Sequence, residues 1–218
     1  MSNTSNSVRT PNCPRYSQLR AVLPVLEGIR KADLSRLSQA IMGKKGTPQN
    51  PVDWSDPDEW IAERLKGDEA ALARRLWEGS GKTVNPRYFF FMYLFIAKYG
   101  LVVEEAGGTL RLTERGQGVV DDDPATVREL DEDAGLLPLL RILADKTAAK
   151  RGDFLPEWSE YLRENSPYAS PQVIRSALYQ RIKNLLDRGL VSRDGNTYDI
   201  TEAGLAYLGA GPAPRPDP

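Results

Sequence analysis

Histidine is absent from all 218 residues, and cysteine occurs once, as Cys13. Without histidine the chain lacks the commonest general base and metal ligand, and every Ser-His or Cys-His nucleophile pair. One cysteine cannot form an intrachain disulfide, and with no histidine beside it no zinc site is expected. Long apolar runs are missing too: FFFMYLFIA at 89–97 is about half of what a membrane-spanning helix needs. The opening MSNTSNSVRTPNCPR has no hydrophobic stretch of the kind a signal peptide requires. These absences predict a cytoplasmic protein with no membrane partner, no metal and no cofactor.

Nor is there a strong charge of either sign, the net value being −1. The distribution is uneven, however. Residues 1–120 carry 17 basic and 13 acidic side chains, and residues 136–218 carry 11 and 10. The intervening DDDPATVRELDEDAG, at 121–135, holds seven acids against one Arg. Acidity is thus confined to one connector, and the near-neutral total does not exclude a polyanionic partner for either flank.

What the chain does contain is a repeat. YGLVVEEAGGTLRLTERG (99–116) and RGLVSRDGNTYDITEAG (188–204) share one plan. A helix stops at Gly, Leu-Val enters a short strand, a tight turn leads into a second strand, and Thr-Glu-x-Gly opens a last short helix. In the second half, LLPLLRILADKTA, DFLPEWSEYLRENS and SPQVIRSALYQRIKNLLDRG read as three helices, the last capped by Ser170-Pro171 and stopped by Gly189. Three helices followed by a hairpin is the winged-helix plan, whose third helix enters the DNA major groove while the hairpin flanks the backbone. The first half reaches the same ending after a longer preface that includes DPDEWIAERL and DEAALARRLWEGS. The expected fold class is mainly α with small β-hairpin wings, as tandem winged-helix domains. The expected division is a disordered tail at 1–16, a first winged-helix-like domain with a helical insertion at 17–120, an acidic linker or helix at 121–135, a second winged-helix domain at 136–209 and a Pro/Gly linker or tail at 210–218.

On the 171–189 helix, Ile174, Leu178, Ile182 and Leu185 form the apolar stripe. Gln172, Arg175, Ser176, Tyr179 and Lys183 fall on the opposite face. Arg and Gln suit guanine and adenine edges, and Ser, Tyr and Lys suit phosphates, so this face with Ser170 and the hairpin's Arg193 is the candidate DNA-binding surface. Any exposed helix face is polar, and the helix-plus-wing context carries most of the inference. The equivalent helix of the first half, Phe89 through Ile96, is apolar on every side, which predicts burial all round. Only its N-terminal end, Asn85, Arg87 and Tyr88 with Lys82 just before, is placed to meet a phosphate. Trp54, Trp60 and Trp77 supply an extra packing layer or an aromatic pocket for a flipped base.

No catalytic constellation emerges. The carboxylates of 121–133 have no strand context, and GSGKT (79–83) departs from a phosphate loop because Leu76 stands where the first Gly belongs. The chain is expected not to be an enzyme.

The stretch RIKNLLDRGLVSRDGNTYDITEAGLAYL (181–208) resembles the N-terminal winged-helix DNA-reading region of Mrr-type modification-dependent restriction endonucleases. NPVDWSDPDEWIAERLKG and VNPRYFFFMYLFIAKYGL resemble segments found ahead of such nuclease domains. The resemblance implies a module that binds double-stranded DNA and senses methylated or otherwise modified bases, with a PD-(D/E)xK nuclease domain in cis after the linker or supplied in trans. This sequence stops at GPAPRPDP without a D…(D/E)-x-K strand motif, so no catalytic residue is carried over. A winged-helix transcriptional regulator or a protein-interaction module is the alternative, and a homodimer is compatible with either.

Overall fold

A computed structural model describes residues 7–44, 46, 47, 49 and 51–210. The chain divides into two units, one formed by 17–121 and the other by the residues up to Tyr16 together with those from Asp122 onward. Most described residues are helical and the strands make two small antiparallel sheets, the mainly-α class that the sequence predicts. Among the described residues no helix is long and apolar enough to cross a membrane.

The first unit runs α1 (Tyr16–Leu26), α2 (Lys31–Met42), α3 (Pro57–Arg64), α4 (Gly67–Gly79), a 3-10 turn at Pro86–Tyr88, α5 (Phe89–Lys98), β1 (Val102–Glu104), β2 (Leu110–Leu112) and α6 (Glu114–Val120). Asp56 starts α3 by accepting from the amides of Asp58 and Glu59, with Pro57 in the first turn, where its missing N–H costs nothing. β1 and β2 pair with Val102 opposite Leu112. A third extended segment joins them just before α2. There Arg30 bridges Thr109, and Gly28 and Ile29 exchange backbone bonds with Leu110 at 3.0 and 2.8 Å.

The second unit contains α7 (Pro124–Asp133), α8 (Leu136–Ala144), β3 (Ala149–Lys150), α9 (Arg151–Asn165), α10 (Pro171–Asp187), β4 (Val191–Asp194), β5 (Thr197–Ile200) and α11 (Glu202–Gly209). Its sheet has the order β3-β5-β4, so the short strand before α9 lies against the second strand of the hairpin. From α8 onward the second unit therefore follows the order of the first: helix, a short extended segment, helix, a further helix, hairpin, short helix, with α7 preceding it. The pair α3–α4 is what the first unit adds.

The repeated endings share their atomic detail. Gly100 and Gly189 sit at φ 66° and 68°, a left-handed conformation that glycine adopts without the penalty a Cβ would bring. The next residue donates back five positions, Leu101 to Ile96 and Leu190 to Leu185, both at 3.0 Å. Thr113 and Thr201 donate their hydroxyls to the carbonyls of Gly100 and Gly189, at 2.6 and 2.7 Å. The same hydroxyls accept from the amides of Gly116 and Gly204, at 2.9 and 3.0 Å, capping α6 and α11. One side chain thus ties helix end, hairpin exit and final helix together in each unit.

The structure decides three expectations. Of the linker or helix expected at 121–135 it is the helix that forms: residues 124–133 are α7, with Val127, Leu130 and Asp131 buried and the exposed acids on its outer face. Asp123 caps it, accepting from the amide of Thr126 at 2.7 Å. The tail expected over 1–16 is ordered from residue 7, with Val8, Thr10 and Cys13 buried in the second unit. Polar composition misleads there because α10 supplies the partners. Arg181 donates to the carbonyls of Thr10 and Pro11 at 3.2 and 3.0 Å, Asn184 to that of Pro14 at 2.7 Å, and Cys13 N–H to Gln180 Oε1 at 2.7 Å. Burial lifts the Cys13 thiol from its ordinary 9.0 to about 11. Third, α5 is not buried all round. Phe89, Met92, Phe95 and Ile96 fill one face, whereas Phe90 and Phe91 are 43% and 54% exposed, because at 100° per residue they fall on the other side. Residues 1–6, and 211–218 of the expected C-terminal tail, lie outside the described residues.

Candidate nucleic-acid interface

α10 begins where Ser170 accepts from the amide of Val173 at 3.3 Å and Pro171 takes the first position. Its buried side holds Ile174, Leu178, Ile182 and Leu185, the predicted stripe, together with Ala177, Arg181 and Asn184. Trp158 of α9 packs beneath, donating its indole N–H to the carbonyl of Ile174 at 3.3 Å. Arg181, although charged, is fully buried. Besides its bonds to residues 10 and 11 it donates to the carbonyls of Ala134 (2.6 Å) and Ala177 (3.0 Å), and its guanidinium lies 5.4 Å from the Trp158 ring centre. Four carbonyls thus meet its donors where a carboxylate would otherwise be needed.

The far end of α10 is held by a second buried group. Arg188 donates to both oxygens of Asp131, at 2.7 and 2.8 Å, and Tyr207 donates its hydroxyl to the same carboxylate at 2.5 Å. The Arg188 guanidinium also lies 4.9 and 5.2 Å from the ring centres of Tyr16 and Tyr207. Burial of the Asp131 carboxyl pushes its pKa up, opposed by the Arg188 charge. α7, α10 and α11 are joined through this cluster.

With its back and end fixed, α10 exposes Gln172, Arg175, Ser176, Tyr179 and Lys183, all five of the residues assigned to its polar face. Arg193 lies on β4 of the hairpin, exposed, but folded back: its Nε donates to the carbonyl of Gly195 at 2.7 Å and its guanidinium is 5.6 Å from the Tyr198 ring centre. Sequence reasoning missed Arg151. It opens α9, is exposed, and lies 6.0 Å from the Tyr179 ring centre. The sequence carries no local signal for that approach, since the two residues are on different helices.

In the first unit, Lys82, Asn85, Arg87 and Tyr88 do come together, and three of them have internal partners. Lys82 pairs with Asp58 at 2.7 Å. Asn85 accepts from the amide of Arg87 at 2.9 Å and donates to the carbonyl of Trp54 at 2.7 Å. Arg87 stacks 4.7 Å from the Trp54 ring centre. These contacts hold the turn before α5; Tyr88, 58% exposed, has the Arg87 guanidinium 6.0 Å from its ring centre. Trp60 is buried edge-on against Trp54, 5.2 Å between ring centres, so this pair serves as packing. Phe90, Phe91 and Met42 border a shallow apolar groove floored by Leu34, Ile41 and Phe89.

Among the described residues no group of three His, Cys, Asp or Glu side chains could hold a metal ion. Comparison with family models, with curated proteins and with solved structures gives no match.

Proposed function

We propose that both units are winged-helix domains and that the second binds double-stranded DNA, with α10 as the helix that enters the major groove. The observation that carries this reading is the exposed polar face of α10, a helix that runs directly into the β4–β5 hairpin. Several other exposed cations, Lys31, Lys82, Arg111, Arg141 and Lys146, each face a carboxylate at 2.6–2.8 Å. Arg175 and Lys183 have no carboxylate partner among the described residues, and they flank Gln172, Ser176 and Tyr179 on one exposed face ahead of a hairpin. Unpaired cations interleaved with hydrogen-bonding side chains suit a groove lined by phosphates. The α9–α10 pair and the β3-β5-β4 sheet supply the frame that presents such a helix.

Following the resemblance to Mrr-type endonucleases, the proposed role is the specificity part of a modification-dependent restriction system, with DNA cleavage left to a separate nuclease domain. The test is to titrate the protein against one duplex in unmodified, cytosine-methylated and adenine-methylated forms at two salt concentrations. Salt-dependent binding that favours a modified duplex is expected. Equal binding to all three removes the sensing role. Absence of salt-dependent binding removes the DNA reading altogether and leaves a second one, a protein-interaction module, which the exposure of Tyr88, Phe90 and Phe91 favours.

A further inference from the structure

Two cations from different helices converge on one exposed phenol. Lys183 Nζ lies 4.6 Å from the Tyr179 ring centre, one turn along α10, and the Arg151 guanidinium reaches the same ring from the first residue of α9. Tyr179 is 44% exposed, so the ring is not a core residue that cations happen to cover. The Lys183 ammonium, with added positive charge from Arg151 and Arg15, holds the Tyr179 hydroxyl below the usual phenol range.

The neighbouring acids are engaged elsewhere. Asp187 pairs with Arg15 at 3.6 Å, Asp153 accepts from the backbone amide of Lys150 at 2.7 Å, and Glu157 pairs with Lys146 at 2.8 Å. Neither Arg151 nor Lys183 has a carboxylate partner among the described residues. Two like charges held about one phenol ring repel each other, and a single oxyanion bridging them would relieve that repulsion.

We infer that Arg151, Lys183 and Tyr179 form a seat for one backbone phosphate of a bound duplex, with Arg15 at its edge; this rests on the DNA-binding reading above. A phosphodiester offers two non-bridging oxygens, which accept from the guanidinium, the ammonium and the phenol hydroxyl without any bond being made or broken. The seat lies toward the C-terminal half of α10, leaving Gln172, Arg175 and Ser176 near its N-terminus for base edges. α9 and α10 are thereby registered on the backbone by residues that carry no sequence information.

The experiment measures binding of the full chain to one duplex over a salt series, for wild type, Arg151→Ala, Lys183→Ala and Arg151→Lys. Wild-type affinity should fall linearly on a log–log plot. Each alanine variant should flatten the slope by about 0.9, the value of one released counterion, and weaken binding to that duplex about five- to tenfold. Arg151→Lys should restore the slope, a rescue that a purely structural role would not produce. If wild type binds in a salt-dependent way but Arg151→Ala keeps its slope and affinity, the seat is overturned while the DNA reading stands. If wild type shows no salt-dependent binding, the underlying reading falls and the seat with it.

Discussion

The carbonyl oxygen of Leu190 occupies the space that a side chain at Gly204 would need, and the carbonyl of Leu101 does the same at Gly116. In each unit the final helix lies directly on the backbone that leaves the preceding helix. Gly116→Ala and Gly204→Ala should each destabilise the protein by about 2–4 kcal/mol, because backbone rather than a flexible side chain must move. Denaturant titration of the two variants checks this. Gly152→Ala, where a Cβ meets no neighbour, should change the midpoint little and serves as the control.

Asp131→Asn should cost about 3–5 kcal/mol, since it leaves Arg188, only 13% exposed at its side chain, without a counter-charge. Replacing both partners, Asp131→Leu with Arg188→Met, should recover much of that loss. Urea midpoints for the two variants, compared with wild type, give the answer.

Stability should fall in alkali with a contribution from Cys13. Its thiol is raised from 9.0 to about 11 in the folded protein, so the unfolded chain ionises first. That contribution is fully present below pH 9 and is lost as the pH climbs through 11, by about 2–3 kcal/mol. Midpoints measured at pH 8 and pH 11 should drop less for Cys13→Ala than for wild type.

The two faces of α5 should respond oppositely to mutation. Phe95→Ala removes a fully buried ring and should cost about 3–5 kcal/mol. Phe91→Ser replaces a ring that is 54% exposed and should shift the midpoint by less than about 1 kcal/mol. Thermal melts of both variants distinguish the faces directly.

Features set by short-range sterics were legible in the sequence. Gly100, Gly189, Thr113 and Thr201 are required by turns and caps a few residues away, so their repetition announced two similar endings. The stripe from Ile174 to Leu185 was equally readable, since helical spacing alone defines it. What escaped depends on distant partners. Arg181 reads as one more cation on a polar helix, yet carbonyls 170 and 171 residues away make its burial tolerable. The segment from Val8 to Pro14 has no periodicity, so nothing local marks it as ordered. Phe90 and Phe91 defeated the opposite rule, being apolar and exposed. In the candidate site, the α10 face was visible from spacing, whereas Arg151 could be placed beside Tyr179 only once α9 and α10 were packed.

The dependence of α10 on the first residues of the chain has a consequence for how the protein is made. The carbonyls that Arg181 needs leave the ribosome long before Arg181 does, with the whole of 17–121 synthesised in between. At about 5–20 residues per second the N-terminal segment waits roughly ten to thirty seconds for its helix. The unit begun first is therefore completed last.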